Sequence, residues 1–185
     1  MPNIFQGKHI RLRAVEIDDW ESHFEWDRDT DGGLMTDEVW FPSSAAAARA
    51  WTETQAKSGQ TDDKFTFQIE RLDGVLVGTM STHTINRRCG TFRYGIFIRP
   101  EDRRKGCARE AIGLLLRYFF DERRYQKANV EVFSFNEPSI RLHEGLGFTL
   151  EGRLRRMIYS GGQYHDALQF GMTREEFDAC GWKPE

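Results

Sequence analysis

The chain has 185 residues, 30% of them charged, with a formal net charge of -3 and a mean hydropathy of -0.63. That length suits one domain over residues 1–185, large enough to bury a real core without metals or disulfides. No apolar run approaches a membrane span, no apolar signal-peptide core follows Met1, and Cys89, Cys107 and Cys180 are odd in number and unclustered, so we expect a cytoplasmic protein with no disulfide framework, metal site or membrane partner.

A first strand is expected near His9–Ala14 and a helix from Ile17 to Trp26. Ser43 or Ser44 caps a second helix through Ala50 toward Lys57, favoured by its alanine run. Lys64–Glu70 and Val75–Thr84 alternate like strands, joined by the hairpin turn Asp73-Gly74. A fourth strand, Thr91–Ile98, leads to a basic turn, and a helix follows with Ala108, Ala111, Ile112, Leu115, Leu116, Phe119 and Phe120 on one stripe of period 3.6. An apolar strand from Asn129 to Phe135 comes next, then a short helix opening at Asn136-Glu137-Pro138-Ser139. Strands Phe148–Tyr159 and His165–Met172 pair through Ser160-Gly161-Gly162, and Thr173-Arg174-Glu175-Glu176 reads as a capping box for a last helix. Hairpins first, then a strand–helix–strand crossover, make a mixed α/β sheet.

The turn Arg103-Arg104-Lys105-Gly106-Cys107-Ala108-Arg109 carries the chemistry. A helix N-terminus has unpaired backbone N–H groups and the positive end of the macrodipole, so it attracts anions. Gly106 permits a tight backbone, and five cations (Arg99, Arg103, Arg104, Lys105, Arg109) crowd this corner against the global negative sign. A Walker loop would need glycine before lysine and Ser or Thr after it, and a dinucleotide fingerprint needs three spaced glycines. Neither fits. A nucleic-acid partner is excluded on the same distribution, because the basic patch is one corner of an otherwise acidic chain.

Arg103-x-x-Gly106-x-Ala108 resembles the Gln/Arg-x-x-Gly-x-Gly/Ala signature of the GNAT acetyltransferase superfamily, and Asn136 to Phe148 resembles its Asn…Leu-Tyr-Glu-x-x-Gly-Phe segment. Arg11-Leu12-Arg13-Ala14, Asp18-Asp19-Trp20, Glu151-Gly152 and Gly162-Gln163-Tyr164-His165-Asp166 are similar to the branch of Rim-type ribosomal-protein and polyamine N-acetyltransferases. The resemblance is weakest from about Asp27 to Asp63. It implies a GNAT fold: a mostly antiparallel mixed sheet of about seven strands, splayed between strands 4 and 5 and flanked by helices. It also implies acetyl-CoA as cosubstrate, its pantetheine along the backbone of Ile96, Phe97 and Ile98, and its pyrophosphate on Arg103, Arg104, Lys105, Gly106, Cys107, Ala108 and Arg109. Asn136 and Ser139 would join the pantetheine site, with Asn136 also capping its helix. A possible homodimer is implied as well.

In Rim-type enzymes a Glu five residues before the Asn serves as base and a Tyr seven residues after it as acid; those spacings fall here on Glu131 and His143. The histidine departs from the family pattern, and imidazolium, with an ordinary pKa of about 6.5, is a competent acid. Arg93 occupies the usual acidic position of the fourth strand and cannot be a base. Cys107 sits where a helix N-terminus lowers a thiol pKa, although direct transfer needs no nucleophile there.

Residues 16 to 38 hold ten acidic side chains against Arg28, with Trp20, Trp26, Trp40 and Phe41 nearby. Trp20 is expected in the core. The resemblance puts this region over the acceptor mouth, where Asp37, Trp40 and Tyr94 would meet a cationic amine. The expected acceptor is a small-molecule amine such as a polyamine, or a protein N-terminus. The alternative is a non-catalytic acyl-CoA-binding or sensing domain.

Overall fold

The computed structural model describes residues 3–36, 39, 41–58 and 62–182. In chain order the elements are β1 (Ile10–Arg13), α1 (Trp20–Trp26), α2 (Thr30–Thr36), α3 (Ala45–Lys57), β2 (Thr66–Arg71), β3 (Leu76–Asn86) and β4 (Thr91–Ile98). They continue with α4 (Cys107–Arg117), β5 (Lys127–Phe133), α5 (Glu137–Leu146), β6 (Thr149–Ser160), β7 (Gln163–Thr173) and α6 (Arg174–Ala179). The strands form one seven-stranded sheet in the order β1-β2-β3-β4-β5-β7-β6. Every neighbouring pair is antiparallel except β4–β5, which is parallel. Among the described residues no helix is long and apolar enough to cross a membrane.

The feature that shapes the site is where β4 and β5 stop pairing. Their register runs from Thr91↔Lys127 to Arg93↔Asn129 and ends there, although β4 continues to Ile98 and β5 to Phe133. The two strands splay, as the family resemblance implied. The facing backbone edges beyond Arg93 are left without a strand partner.

The two faces of the sheet differ. Phe92, Tyr94 and Ile98 of β4 and Ala128, Val130 and Val132 of β5 alternate inward and join Ala111, Ile112, Leu114, Leu115 and Leu116 of α4 in the apolar core. Phe92 stacks on Phe119 with ring centroids 4.2 Å apart. On the opposite face, cross-strand register sets Gln68 beside Thr79, Thr66 beside Ser81, Arg93 beside Asn129 and Glu131 beside Gln169. Directly paired residues share a face, so a polar row crosses the sheet, covered by α1 and α3 at Gln68 and Thr66 and open at Glu131.

Several boundaries differ from those expected. β5 starts and ends two residues earlier than the apolar run suggests, because the backbone N–H of Asn136 bonds back to the Phe133 carbonyl at 2.8 Å and turns the chain. α4 is buried more widely than one stripe: Cys107, Gly113 and Leu114 are buried too, while Ala108 is only half-buried. At Gly113 the reason is Trp182, whose ring lies where a Cβ would be, 2.0 Å from the nearest ring atom, so this side chain covers a second side of α4. Helix α2 was not expected from Thr30-Asp31-Gly32-Gly33-Leu34-Met35-Thr36, whose paired glycines disfavour helix. The Asp29 carboxylate stabilises it by accepting from the Gly32 N–H at 2.9 Å. Trp20 is half-buried rather than in the core, with the Arg49 guanidinium 4.0 Å from its ring centroid.

Candidate active site

The turn between β4 and α4 is held open by its backbone. Gly106 is the N-cap of α4 at φ 87°, and nothing lies within 4 Å of a Cβ there, so the requirement is conformational. Arg104 also takes a left-handed φ, 63°. Among the described residues, the N–H groups of residues 104–109 have no backbone or side-chain acceptor, and the first helical bond is Glu110 N–H to the Gly106 carbonyl at 3.0 Å. Unpaired N–H groups at the N-terminus of a helix suit a polyphosphate.

The cations of the turn serve mostly to build it. Asp102, its side chain fully buried, accepts from Arg99 Nε at 2.6 Å, Lys105 Nζ at 3.1 Å and Arg71 Nη1 at 3.4 Å. Burial alone would push its carboxyl up, but Arg99 and Lys105 hold it below the ordinary range. Arg103 donates to the Ile98 carbonyl at 2.9 Å and to Asp29 Oδ2 at 3.3 Å, and Arg109 donates to the Gly145 carbonyl at 2.8 Å. The Cys107 thiol is pushed up by burial and by the Asp102 charge, not down by the helix terminus as the sequence suggested; it fills space.

A cavity of about 630 Å³ runs from this turn along the β4 edge. Ile96, Phe97, Ile98, Arg103, Arg104, Gly106, Cys107, Ala108, Arg109, Asn136 and Ser139 all line it. Lys105, the remaining donor-side residue singled out in the sequence, is turned to Asp102 instead. Asn136 caps α5 by accepting from the Ser139 N–H at 3.1 Å, while its Nδ2 donates to the Met35 carbonyl of α2 at 2.8 Å. That second bond ties α2 to α5 over the gap between the splayed strands.

Met35, Thr36, Ile96, Phe97, Asn136 and Ser139 also wall a second cavity, of about 420 Å³, so the two chambers meet at the fork. Glu131, His143, Tyr94, His23 and Ser81 line the second chamber. Glu131 is half-exposed on the polar face; Gln169 Nε2 donates to its Oε2 at 2.6 Å. His143 is 1% exposed, and burial drives its pKa down to about 4 against the opposing pull of the Ser139 carbonyl. A carbonyl only accepts, so His143 Nδ1 carries the proton and donates to Ser139 O at 2.8 Å. Nε2 therefore accepts from the Tyr94 hydroxyl at 3.0 Å. Tyr94 is itself 2% exposed, and burial pushes its phenol well above the ordinary value. At neutral pH the pair is uncharged, which removes the imidazolium the sequence suggested.

Asp37 and Trp40 lie outside the described residues. Of the acidic residues nearby, Asp19 is buried in a two-bond pair with Arg13 (2.8 and 2.7 Å), Asp27 accepts from Ser43 at 2.8 Å, and Asp29 is held by Arg103. The acidity at the mouth is thus partly neutralised. A third cavity of about 490 Å³, lined by Trp26, Asp27, Asp29, Phe41 and Phe97, shares His23, Thr36, Thr79 and Phe97 with the second. His23 is neutral because burial lowers its pKa; its Nε2 lies 2.6 Å from Gln68 Nε2, whose amide oxygen is buried without a partner. Among the described residues no group of His, Cys, Asp and Glu could hold a metal ion.

Sequence reasoning missed Asp102, Gln169 and His23. Asp102 carried a signal, one of two adjacent acids (Glu101-Asp102) set among five cations; the other two depend on strand register and helix packing that no local pattern encodes.

Comparison with known proteins agrees with this geometry. The family model described as "Acetyltransferase (GNAT) domain" matches residues 9–149. The SPbeta prophage-derived uncharacterized N-acetyltransferase YokL of Bacillus subtilis (strain 168) is 42% identical over 172 residues, covering 93% of this chain and 94% of its own. Spermidine N(1)-acetyltransferase of Escherichia coli (strain K12) is 25% identical over 168 residues, covering 91% and 88%. In fold, the chain is similar to spermidine N-acetyltransferase from Vibrio cholerae, solved with CoA and spermine, at TM-score 0.79 and 22% identity over 91% of this chain and 97% of that one.

Proposed function

Because the chain belongs to the GNAT acetyltransferase family, it is an acetyl-CoA-dependent N-acetyltransferase, and we propose that residues 1–185 form one domain that acetylates a small cationic primary amine by direct transfer. The observation that carries this reading is the meeting of two chambers at the fork of β4 and β5, with the Glu131 carboxylate in the wall of the second.

Acetyl-CoA supplies an activated acetyl group as a thioester. The free N–H groups of residues 104–109 fit its pyrophosphate, and the unpaired edge of Ile96, Phe97 and Ile98 fits its amide-bearing arm in the manner of an added strand. Asn136 Nδ2 would exchange the Met35 carbonyl for that arm while keeping its cap on Ser139. On the acceptor side Glu131 would take the proton that the ammonium must lose before attack. The N–C bond then forms as the C–S bond breaks; the thiolate leaves with the electron pair and gains a proton from solvent, and the acylated nitrogen gives up its second proton to solvent to become the amide. Tyr94, whose hydroxyl rests on Nε2 of the neutral, buried His143, would turn from it toward the sulfur as a hydrogen-bond donor, and His143 would hold the phenol in place until then. Holding both reactants at the fork would supply much of the rate.

A cationic acceptor is supported by the chamber lined by Asp27, Asp29, Trp26, Phe41 and Phe97, which suits a second ammonium at a distance from the reacting one. The spermidine acetyltransferase of Escherichia coli, similar over most of its length, supports the same class. The test is thiol release from acetyl-CoA with spermidine, a monoamine of matched length, an aminoglycoside and peptides with free N-termini. Highest kcat/KM on the polyamine is expected. Turnover confined to peptides would overturn the small-molecule reading, and a flat response to acceptor charge would overturn the cationic one.

A further inference from the structure

We propose that Gln169 and Arg93 form a strap across the sheet that positions the Glu131 carboxylate for proton abstraction; the inference rests on Glu131 being the base. Glu131 on β5 stands directly opposite Gln169 on β7. Gln169 Nε2 donates to Glu131 Oε2 at 2.6 Å, and Gln169 Oε1 accepts from Arg93 Nη2 at 2.9 Å. Arg93 Nη1 lies 3.9 Å from the same Glu131 oxygen. The three side chains close a ring.

Its location is what gives the ring a function. Arg93 is the last residue of β4 that pairs with β5, through Asn129. From there its side chain passes over β5 to reach β7, so the strap crosses the sheet at the point where backbone pairing gives out. Beyond that point only side chains link β4 to the strands on its far side. The strap therefore fixes two things together: the orientation of Glu131 and the place where the fork opens.

Both amide ends of Gln169 are used, and this sets its orientation without ambiguity. The carboxylate accepts only, so the NH₂ must face Glu131; the guanidinium donates only, so the amide oxygen must face Arg93. With Oε2 engaged, Oε1 is the oxygen left to take a proton from the amine. A glutamate with three rotatable bonds on an open sheet face would otherwise sample several rotamers, and few of them point at the fork. Arg93, which cannot act as a base, gains a role from the same geometry: it holds the residue that holds the base.

The test compares Gln169→Leu, Arg93→Met, Arg93→Lys and Glu131→Gln for steady-state kinetics, with calorimetric CoA binding as the check on folding. Gln169→Leu is expected to lower kcat roughly 10- to 100-fold, in line with the loss from misplacing a catalytic group, while KM for acetyl-CoA and CoA affinity stay within about twofold. Arg93→Met should behave alike, and Arg93→Lys should recover part of the loss by donating to the Gln169 oxygen. The double variant Gln169→Leu/Glu131→Gln should be no slower than Glu131→Gln alone, because Gln169 acts through that carboxylate. An inactive Glu131→Gln with a wild-type-like Gln169→Leu would overturn the strap and leave the base in place. A fully active Glu131→Gln would overturn both. Additive losses in the double variant would show that Gln169 acts elsewhere.

Discussion

In the proposed reading, the groups that would meet the donor are backbone N–H groups of residues 104–109 and the bare edge of β4. Those that would meet the acceptor are side chains brought from α1, β3, β4, β5 and α5 to one cavity: His23, Ser81, Tyr94, Glu131 and His143. The first kind of site is specified by conformation and tolerates many side chains, provided Gly106 can adopt φ 87° and the turn is pinned. The second kind depends on the identity and placement of every side chain. A site that serves the same cosubstrate throughout a family can be built of backbone, and a site that selects an acceptor cannot.

The sharpest way to break the contrast is at Asp102, the buried side chain on which the donor turn depends. It gathers Arg99, Lys105 and Arg71, so Asp102→Ala leaves three cations facing one another at the base of the turn. Removing a buried carboxylate shared by three partly exposed cations, which can turn to water, costs about 1–3 kcal/mol. A fall in denaturation free energy of that size, together with weakened CoA binding, is expected. Unchanged CoA affinity in a folded Asp102→Ala protein would mean that the side-chain cations, not the backbone, hold the phosphates.

A second prediction separates the two sides by pH. His143 belongs to the acceptor chamber, is neutral when folded down to about pH 4, and is protonated more readily when unfolded, where its pKa is about 6.5. Between those values the unfolded chain binds more protons, so stability rises with pH through this window and is lost as pH falls from 6.5 toward 4. The contribution is about 3 kcal/mol by pH 4. His143→Gln, which keeps a polar group near Tyr94, should show a shallower loss in urea denaturation from pH 7 to 4. Equal slopes in the two proteins would mean that His143 titrates normally and is available as an imidazolium acid after all.

The same contrast explains what the sequence made legible. The donor turn was readable because backbone sites leave spacing rules, and Arg103, Gly106, Ala108 and Asn136 all lie in one local stretch whose elements the structure reproduces. The seven-stranded sheet and its fork were readable through the family resemblance those spacings carry. The acceptor chamber was not. Helix α2 reads as a loop because its two glycines outweigh a cap supplied by the Asp29 side chain. Glu131 is proposed from its distance to Asn136, yet its partner Gln169 lies 38 residues away and meets it only through the β5–β7 register. The burial that discharges His143 depends on Tyr94, 49 residues distant, and no helical pattern encodes that.

The smallest effect tests whether the two sides are separate at all. Arg103 of the donor turn donates to Asp29 beside the acceptor chamber at 3.3 Å, a partly exposed pair that holds less than about 1 kcal/mol of stability. Asp29→Asn should leave the melting temperature nearly unchanged. If Asp29 attracts the far ammonium of the acceptor, KM for a diamine should rise about two- to fivefold while KM for a monoamine of equal length does not. If its main role is to hold Arg103, the result reverses: CoA affinity rises because the guanidinium is freed for phosphate, and the diamine preference is untouched. In that case Asp29 serves the donor turn alone, and the two chambers would bind independently, with no obligatory order in the product-inhibition patterns.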